Sequence, residues 1–146
     1  MQQNVESGRC SSNLLKILFI AMSITALLIT GCSAAPPDKM MQEYVTIQSN
    51  DGKVLYKSNG SLKDVMDNYW APLAKSKIKT SKSGGAYVFS FKSKNYDKVE
   101  FTIAENGSLK KVLMKGGSDS IEIADDKPDA MHNIAMGMFQ FDAVNQ

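Results

Sequence analysis

Few side chains in this sequence are suited to covalent or acid–base chemistry. Nucleophilic catalysis uses a serine or cysteine beside a histidine that accepts its proton. The chain has one histidine, His132, and two cysteines, Cys10 and Cys32. His132 is interpreted as an exposed helix residue that lies beside the apolar side of that helix. Paired carboxylates also do general acid–base work, but no spacing selects a pair, so the protein is not expected to be an enzyme.

The strongest candidate metal ligands fall in one short segment, which contains Met131, His132, Met136 and Met138. Thioethers suit Cu(I), and His132 and Met136 share a helix face at a spacing of four. Met131 and Met138, however, lie on the apolar stripe of the same predicted helix, where methionine fills gaps in a core. Two cysteines and one histidine also argue against a zinc site. Core packing is therefore favoured, and no metal or other cofactor is predicted.

A second group of candidate ligands is acidic. It consists of Asp119, Glu122, Asp125, Asp126 and Asp129. Their spacing lacks the alternating Asp/Asn positions and the central glycine of an EF-hand calcium loop. Asp125, Asp126 and Asp129 are instead expected to stabilise the positive N-terminal end of a helix.

Lysines are concentrated in the middle of the sequence. Residues 53–98 hold ten lysines and three acidic residues, a net charge of +7, whereas residues 99–146 have a net charge of −4. The main cluster is Lys75, Lys77, Lys79, Lys92, Lys94 and Lys98. It could contact anionic lipid head groups or an acidic protein, or form the solvated side of a strand. The net charge of the whole chain is only +2, which argues against a nucleic acid partner.

The N-terminal part of the chain has the pattern of an export signal. Arg9 and Lys16 precede an uncharged apolar run of thirteen residues, 17–29. As a helix this run would span about 20 Å, which is short for a hydrocarbon core of roughly 30 Å and typical of a signal peptide. It closes in Leu28-Ile29-Thr30-Gly31-Cys32-Ser33, which resembles the lipobox of bacterial lipoproteins.

The resemblance to lipoproteins implies a covalent lipid and a location. Signal cleavage would fall between Gly31 and Cys32, and Cys32 would carry a diacylglyceryl group and an N-acyl chain. Several such chains, at about 0.8 kcal/mol per buried CH₂, hold a protein on a membrane. Lipoproteins of the inner membrane typically have aspartate where this chain has Ser33, so the outer membrane, facing the periplasm, is expected. The alternative is an uncleaved short anchor in which Cys32 has no role.

This interpretation divides the chain into three parts. Residues 1–31 are the lipoprotein signal peptide, 32–43 a lipidated flexible tether, and 44–146 a single small α+β domain. The tether contains Ala34-Ala35-Pro36-Pro37 and has no apolar periodicity. Hydrophobic residues make up 43% of the chain and charged residues 22%, proportions that fit a globular protein.

The domain is predicted to begin with a hairpin and a helix. Two β-rich runs, 44–48 and 54–57, flank a turn, and Asn59-Gly60 is expected to break the chain after them. Ser61 and Asp64 then predict the N-cap of a helix over 61–70. Its apolar stripe consists of Leu62, Val65, Met66, Tyr69 and Trp70. Pro72 is expected to end or bend this helix.

Residues 76–124 predict an antiparallel meander. The Gly84-Gly85 turn sets a register that pairs Thr80 with Phe89, Ile78 with Phe91 and Lys77 with Lys92. Asn106-Gly107 predicts a type I′ turn. The strand that follows it has apolar residues on both sides, so its buried side is left open.

The last predicted element is a helix that opens at Pro128. Its apolar stripe is Met131, Ile134, Ala135, Met138 and Phe139. The predicted fold class is therefore α+β, an antiparallel β-meander with two helices packed on one face.

Four functions are compatible with these patterns. The leading hypothesis is a non-catalytic, membrane-anchored envelope lipoprotein whose small domain binds a protein, as an accessory subunit of an envelope complex or as an inhibitor or immunity-type binder. Its candidate partner or lipid-surface contacts are Lys75, Lys77, Lys79, Lys92 and Lys94. The alternative is a small apolar-ligand or lipid-binding lipoprotein with a cup around Tyr87, Phe89, Phe91 and Phe101. A structural envelope lipoprotein without a dedicated partner and a metal carrier complete the four.

Overall fold

A computed structural model describes residues 34–144. The signal peptide predicted over 1–31 and the lipid site predicted at Cys32 lie outside these residues. The elements, in chain order, are α1 (Asp38–Gln42), β1 (Tyr44–Gln48), β2 (Val54–Ser61), α2 (Leu62–Val65), a π-helical turn (Met66–Trp70), α3 (Ala71–Leu73), β3 (Lys79–Ser83), β4 (Ala86–Phe91), β5 (Lys98–Ala104), β6 (Leu109–Gly116), β7 (Asp119–Ala124), α4 (Pro128–Phe139) and β8 (Phe141–Ala143). Among the residues described, no helix is long and apolar enough to cross a membrane.

The strands form two antiparallel sheets. Five strands follow one another in the order β3-β4-β5-β6-β7, and a smaller sheet has the order β1-β2-β8. The predicted α+β class with an antiparallel meander is confirmed. The β1–β2 hairpin also forms, but it belongs to the smaller sheet, where β8 pairs with β2. Sequence patterns did not indicate β8, because three residues after a helix are too few to show an alternation.

The register of the β3–β4 hairpin is confirmed at its centre. Thr80 lies opposite Phe89, and Ser83 opposite Ala86, on either side of the two-residue turn. Gly84 in that turn has φ +59°, a left-handed conformation that glycine adopts without steric cost. Phe89 is fully buried, so the alternation of this strand correctly predicted its inner side.

The start of the same hairpin differs from the prediction. β3 begins at Lys79, so the predicted pairs of Ile78 with Phe91 and of Lys77 with Lys92 are not part of the ladder. Instead, the Lys75 amide donates to the Lys92 carbonyl at 2.6 Å. The Lys92 amide in turn donates to the Ser76 hydroxyl at 2.8 Å. The Ser76 hydroxyl thus accepts the hydrogen bond that a backbone carbonyl would accept in a regular ladder. The pairing before β3 is shifted by two residues, so that Lys75 rather than Lys77 bonds to Lys92.

The helical segment predicted over 61–70 begins as expected and ends later. Ser61 and Asp64 form the predicted capping box, with the Asp64 carboxylate accepting from the Ser61 amide at 2.9 Å. Hydrogen bonds from the Ser61 hydroxyl and amide lower the pKa of the Asp64 carboxyl. Pro72 lies in the last turn, and the helical segment ends one residue after it, at Leu73. The turn before it is π-helical, with the Ala71 amide donating to the Met66 carbonyl, and such a widened turn relieves the clash of a proline ring with the preceding carbonyls.

Aromatic side chains fill the core between the five-stranded sheet and the helices. Trp70, at the end of the π-helical turn, is fully buried. Its ring centroid lies 4.8 Å from that of Phe101 and 5.3 Å from that of Phe139. The Trp70 indole N–H donates to the Met138 carbonyl at 3.0 Å, so its one polar atom is satisfied inside the core. The rings of β4, β5 and α4 thus meet on one side of the sheet.

The buried side of β6, which the sequence left open, is set by a register shift. Thr102 lies opposite Lys111, but Ile103 lies opposite Leu109, so Lys110 is an extra residue on β6. The shift brings Leu109 and Val112 onto the same core side although they are three residues apart. Leu113 is also buried but lies outside the core cluster, on the opposite side of the sheet.

The prediction of a flexible tether over residues 32–43 is wrong for the second half of that segment. Asp38–Gln42 forms the helix α1, and Met40 is only 1% exposed within the core. Ala34 also packs against the core. Two adjacent methionines among alanine, proline and polar residues give no periodicity, so the sequence did not indicate this docking. Cys32 and Ser33, the start of the tether, lie outside the described residues.

Two turn predictions also need correction. Asn59-Gly60 does not break the chain, because β2 continues to Ser61 and Gly60 takes φ +122° within the strand. The Asn106-Gly107 turn is not type I′, which needs positive φ at both residues. Gly107 has φ +83° and its amide donates to the Ala104 carbonyl, but Asn106 does not have a positive φ. This pattern is a type I turn followed by a left-handed glycine.

Candidate functional site

The lysines named from the sequence lie together along one edge of the structure. We call Lys75, Lys77, Lys79, Lys92 and Lys94 the lysine patch; all five are exposed. Ala74, after α3, forms an antiparallel bridge with Ser93, after β4. This bridge and the Lys75–Lys92 backbone hydrogen bond bring the two parts of the patch side by side. The fold therefore joins the segments 75–79 and 92–94, which are not adjacent in the sequence.

The lysine patch is distinguished by the clustering of unpaired charge. In the described part of the chain, Lys39, Lys115 and Lys127 also form no ion pair, but only the patch brings five unpaired lysines together from two segments. Five lysines elsewhere form ion pairs: Lys63 with Asp67, Lys82 with Glu105, Lys98 with Glu100, Lys110 with Asp125 and Lys111 with Glu122. Within residues 34–144, no patch lysine has a carboxylate within 4.0 Å. Lys98, the sixth lysine of the sequence cluster, is not counted in the patch because it is paired with Glu100. The patch is a surface of uncompensated positive charge.

In three of the ion pairs outside the patch, pairing shifts the pKa of one member. The Glu105 carboxylate raises the pKa of Lys82, with a smaller contribution from the Tyr87 hydroxyl. The Lys111 ammonium lowers the pKa of Glu122. In each pair the two opposite charges lie close together and offset each other locally. The same compensation does not occur along the lysine patch.

His132 has a different setting from the exposed one predicted. It is half-buried, and its ring stacks on Tyr56 with centroids 3.8 Å apart and an interplanar angle of 13°. The Tyr56 hydroxyl donates to the Asp129 carboxylate at 3.0 Å, which raises the pKa of Tyr56. Through these two contacts, Tyr56 of β2 packs against His132 and bonds to Asp129 of α4.

The methionines near His132 differ in burial. Met131 is fully buried in the core and Met138 half-buried against it. Met136 is 45% exposed, on the opposite side of α4 from Met131. Within the described residues, no group of three or more histidine, cysteine, aspartate or glutamate side chains is arranged to hold a metal ion.

The acidic residues near the start of α4 have separate partners. Asp125 accepts from the Lys110 ammonium at 3.0 Å, while Asp129 accepts from Tyr56. The Lys110–Asp125 pair borders a small cavity of about 220 Å³. Its walls are polar and are formed by Gln48, Ser49, Asn50, Gly52, Ser108, Lys110, Asp125 and Asp126.

The aromatic residues that would line an apolar cup are packed against other side chains. Tyr87, Phe89, Phe91 and Phe101 are each at most 4% exposed. Trp70 lies over this side of the sheet, with its centroid 5.5 Å from Phe89 and 6.1 Å from Phe91. An apolar ligand of ordinary size needs a cavity of about 300–1,000 Å³. The packing around Trp70 therefore does not favour the apolar-ligand alternative.

Comparison with known proteins identifies no relative. No protein-family model, no curated protein and no solved structure matches this chain. The functional argument therefore depends on the sequence motif at Cys32 and on the geometry of the described residues.

Proposed function

We propose that this protein is a non-catalytic lipoprotein, anchored in the outer membrane through Cys32, whose domain docks an acidic protein of the envelope. The lysine patch is the docking surface. The partner is an assembly that this chain assists, or an enzyme that it inhibits. The lipobox-like sequence Leu28-Ile29-Thr30-Gly31-Cys32 supports the anchor.

A single observation carries the docking part of the proposal. Five exposed lysines from two segments lie together without a carboxylate within ion-pair distance in residues 34–144, while five lysines elsewhere are paired. Uncompensated charge of one sign attracts an oppositely charged partner and accelerates its association. An acidic protein fits this surface.

The beginning of the folded domain supports a position close to the lipid. Ala34 packs against the core, and only Ser33 separates it from Cys32. Two residue steps cover at most about 7 Å of extended chain. With so short a connection, an anchored domain works at the membrane surface, and its partner has to be an envelope protein within reach of that surface.

The docking surface is tested by crosslinking mass spectrometry on native membranes with three lysines removed. The crosslinker is a dihydrazide that joins carboxylates, so the loss of a lysine amine does not by itself remove a crosslink. The variant carries Lys77→Gln, Lys79→Gln and Lys92→Gln together. Three surface ion pairs at roughly 0.5 kcal/mol each amount to about a tenfold loss of affinity. We therefore expect the crosslinked acidic partner to fall by about tenfold, and wild-type crosslinking to weaken as salt is raised.

The matched control changes three exposed lysines outside the patch, Lys39, Lys115 and Lys127, to glutamine. It lowers the net charge by the same amount and should keep the crosslinks. Equal losses in both variants would show that only total charge matters. The proposal would be contradicted if the domain crosslinked to no protein and only vesicles of anionic lipid protected the patch lysines from chemical modification. The surface would then contact lipid.

A further inference from the structure

The lysine patch borders a free edge of the five-stranded sheet. β3 is the outermost strand and pairs with β4 on one side only; among residues 34–144 no strand pairs with its other side. An unpaired edge presents backbone donors and acceptors to solvent, and extended segments of other chains are able to add to it.

The register shows which backbone groups face this free edge. Ser83 and Ala86 flank a two-residue turn, so they form a pair that exchanges both hydrogen bonds, and every second residue does the same. Ser83, Ser81 and Lys79 therefore bond to β4. The N–H and C=O groups of Thr80 and Lys82 point the other way, and in the described part of the chain no turn, loop or cap residue bonds to them.

The lysines before and within β3 have the spacing of a strand. Lys77 and Lys79 are exposed, while Ile78 between them and Thr80 after them are half-buried; the chain bends at Lys75 and Ser76 before this stretch. Residues two apart in extended chain lie about 6.6 Å from one another on the same side. An added strand has the same period, so carboxylates at its alternate positions would each face one lysine.

We propose that the free edge of β3 binds an extended acidic segment of the partner as a sixth strand. Backbone hydrogen bonds from Thr80 and Lys82 hold the segment, and alternate carboxylates on it pair with Lys77 and Lys79. This inference rests on the proposed docking function and specifies its partner chemistry. The recognised segment is a short strand with acidic residues at every second position.

A second copy of this chain is a poorer occupant of the edge. Two β3 edges would bring together two surfaces of the same positive charge, which is repulsive. The acidic edge strand β7 is the other candidate, but its Glu122 is already paired with Lys111 within the chain. Helix α4 also packs against β7. An acidic strand from a different protein is therefore favoured.

Two labelled peptides of identical composition test the mode of binding. One seven-residue peptide has three glutamates alternating with valine and threonine; the other has the same three glutamates in one block. Fluorescence anisotropy with the full chain in detergent should show about tenfold tighter binding of the alternating peptide, a difference of about 1.4 kcal/mol. Equal binding of both peptides would overturn the strand addition but leave docking by charge intact. Binding of neither peptide would contradict both proposals.

Substitutions at Thr80 test the backbone contact separately from charge. Thr80→Pro removes the amide that faces the free edge, where proline is tolerated, while Thr80→Val keeps it. We expect the proline variant to lose the preference for the alternating peptide and the valine variant to retain it. N-methylation of the peptide amides that face β3 gives the same loss in the wild-type protein, so the test does not depend on folding of the proline variant. An unchanged preference after N-methylation, or wild-type chains that associate with each other through this edge in sedimentation, would refute the inference.

Discussion

Replacing Gly107 with alanine is expected to destabilise the domain by about 4 kcal/mol. Gly107 has φ +83°, a conformation that costs other residues roughly 1–3 kcal/mol. A methyl group there would also lie well inside contact distance of the Tyr44 carbonyl oxygen, and overpacking of this kind costs about 1–3 kcal/mol more. The Thr46 amide donates to the Gly107 carbonyl at 2.9 Å, so β1 is unable to move away without losing that bond.

Urea unfolding of the chain, followed by far-ultraviolet circular dichroism, measures this effect. The matched control is Gly117→Ala, because Gly117 has φ +58° but no atom within 4 Å of the added methyl group. The control should cost only about 1–2 kcal/mol, the strain of the left-handed backbone alone. Equal losses for the two variants would show that the close approach of Gly107 to Tyr44 is not a constraint.

Replacing Trp70 with alanine is expected to cost about 3–5 kcal/mol, the usual range for a large buried aromatic residue. Trp70 is fully buried among Phe89, Phe101 and Phe139, and its indole N–H is bonded to the Met138 carbonyl. Its removal leaves a void and an unpaired carbonyl in the same place. Circular dichroism is again the suitable signal, since Trp70 is the only tryptophan of the chain.

An exposed aromatic residue provides the control for Trp70. Tyr44 is 44% exposed, with the Lys57 ammonium 3.8 Å above its ring. Tyr44→Ala should cost less than about 1 kcal/mol, the contribution of an exposed cation–π contact. If Trp70→Ala cost as little, the interior would have unused space, and the apolar-ligand alternative would regain support.

Local sequence signals predicted the parts of the fold that depend on neighbouring residues. The Ser61–Asp64 capping box and the pairing of Thr80 with Phe89 across Gly84-Gly85 each depend on a few adjacent positions. β8 and the docking of Met40 depend instead on surfaces built by distant parts of the chain. No local pattern encodes such contacts, so a three-residue strand and a single buried methionine were missed.

The candidate site was predictable in its residues but not in its geometry. The excess of lysine over acidic residues identified Lys75, Lys77, Lys79, Lys92 and Lys94. The sequence could not show that Lys98 is paired with Glu100, since an ion pair depends on side-chain positions. It also predicted a ladder between Lys77 and Lys92 where the structure has the Ser76 hydroxyl instead. The free edge of β3 follows only from the strand order.

Metabolic labelling with a palmitate analogue tests the central claim, the lipid anchor at Cys32, most directly. The chain has two cysteines, so Cys10→Ser serves as the matched control for Cys32→Ser. We expect label in the membrane fraction for the wild type and for Cys10→Ser, and none for Cys32→Ser. A wild-type chain without label, or label that persists in Cys32→Ser, would contradict the anchor and with it the placement of the lysine patch at the membrane surface.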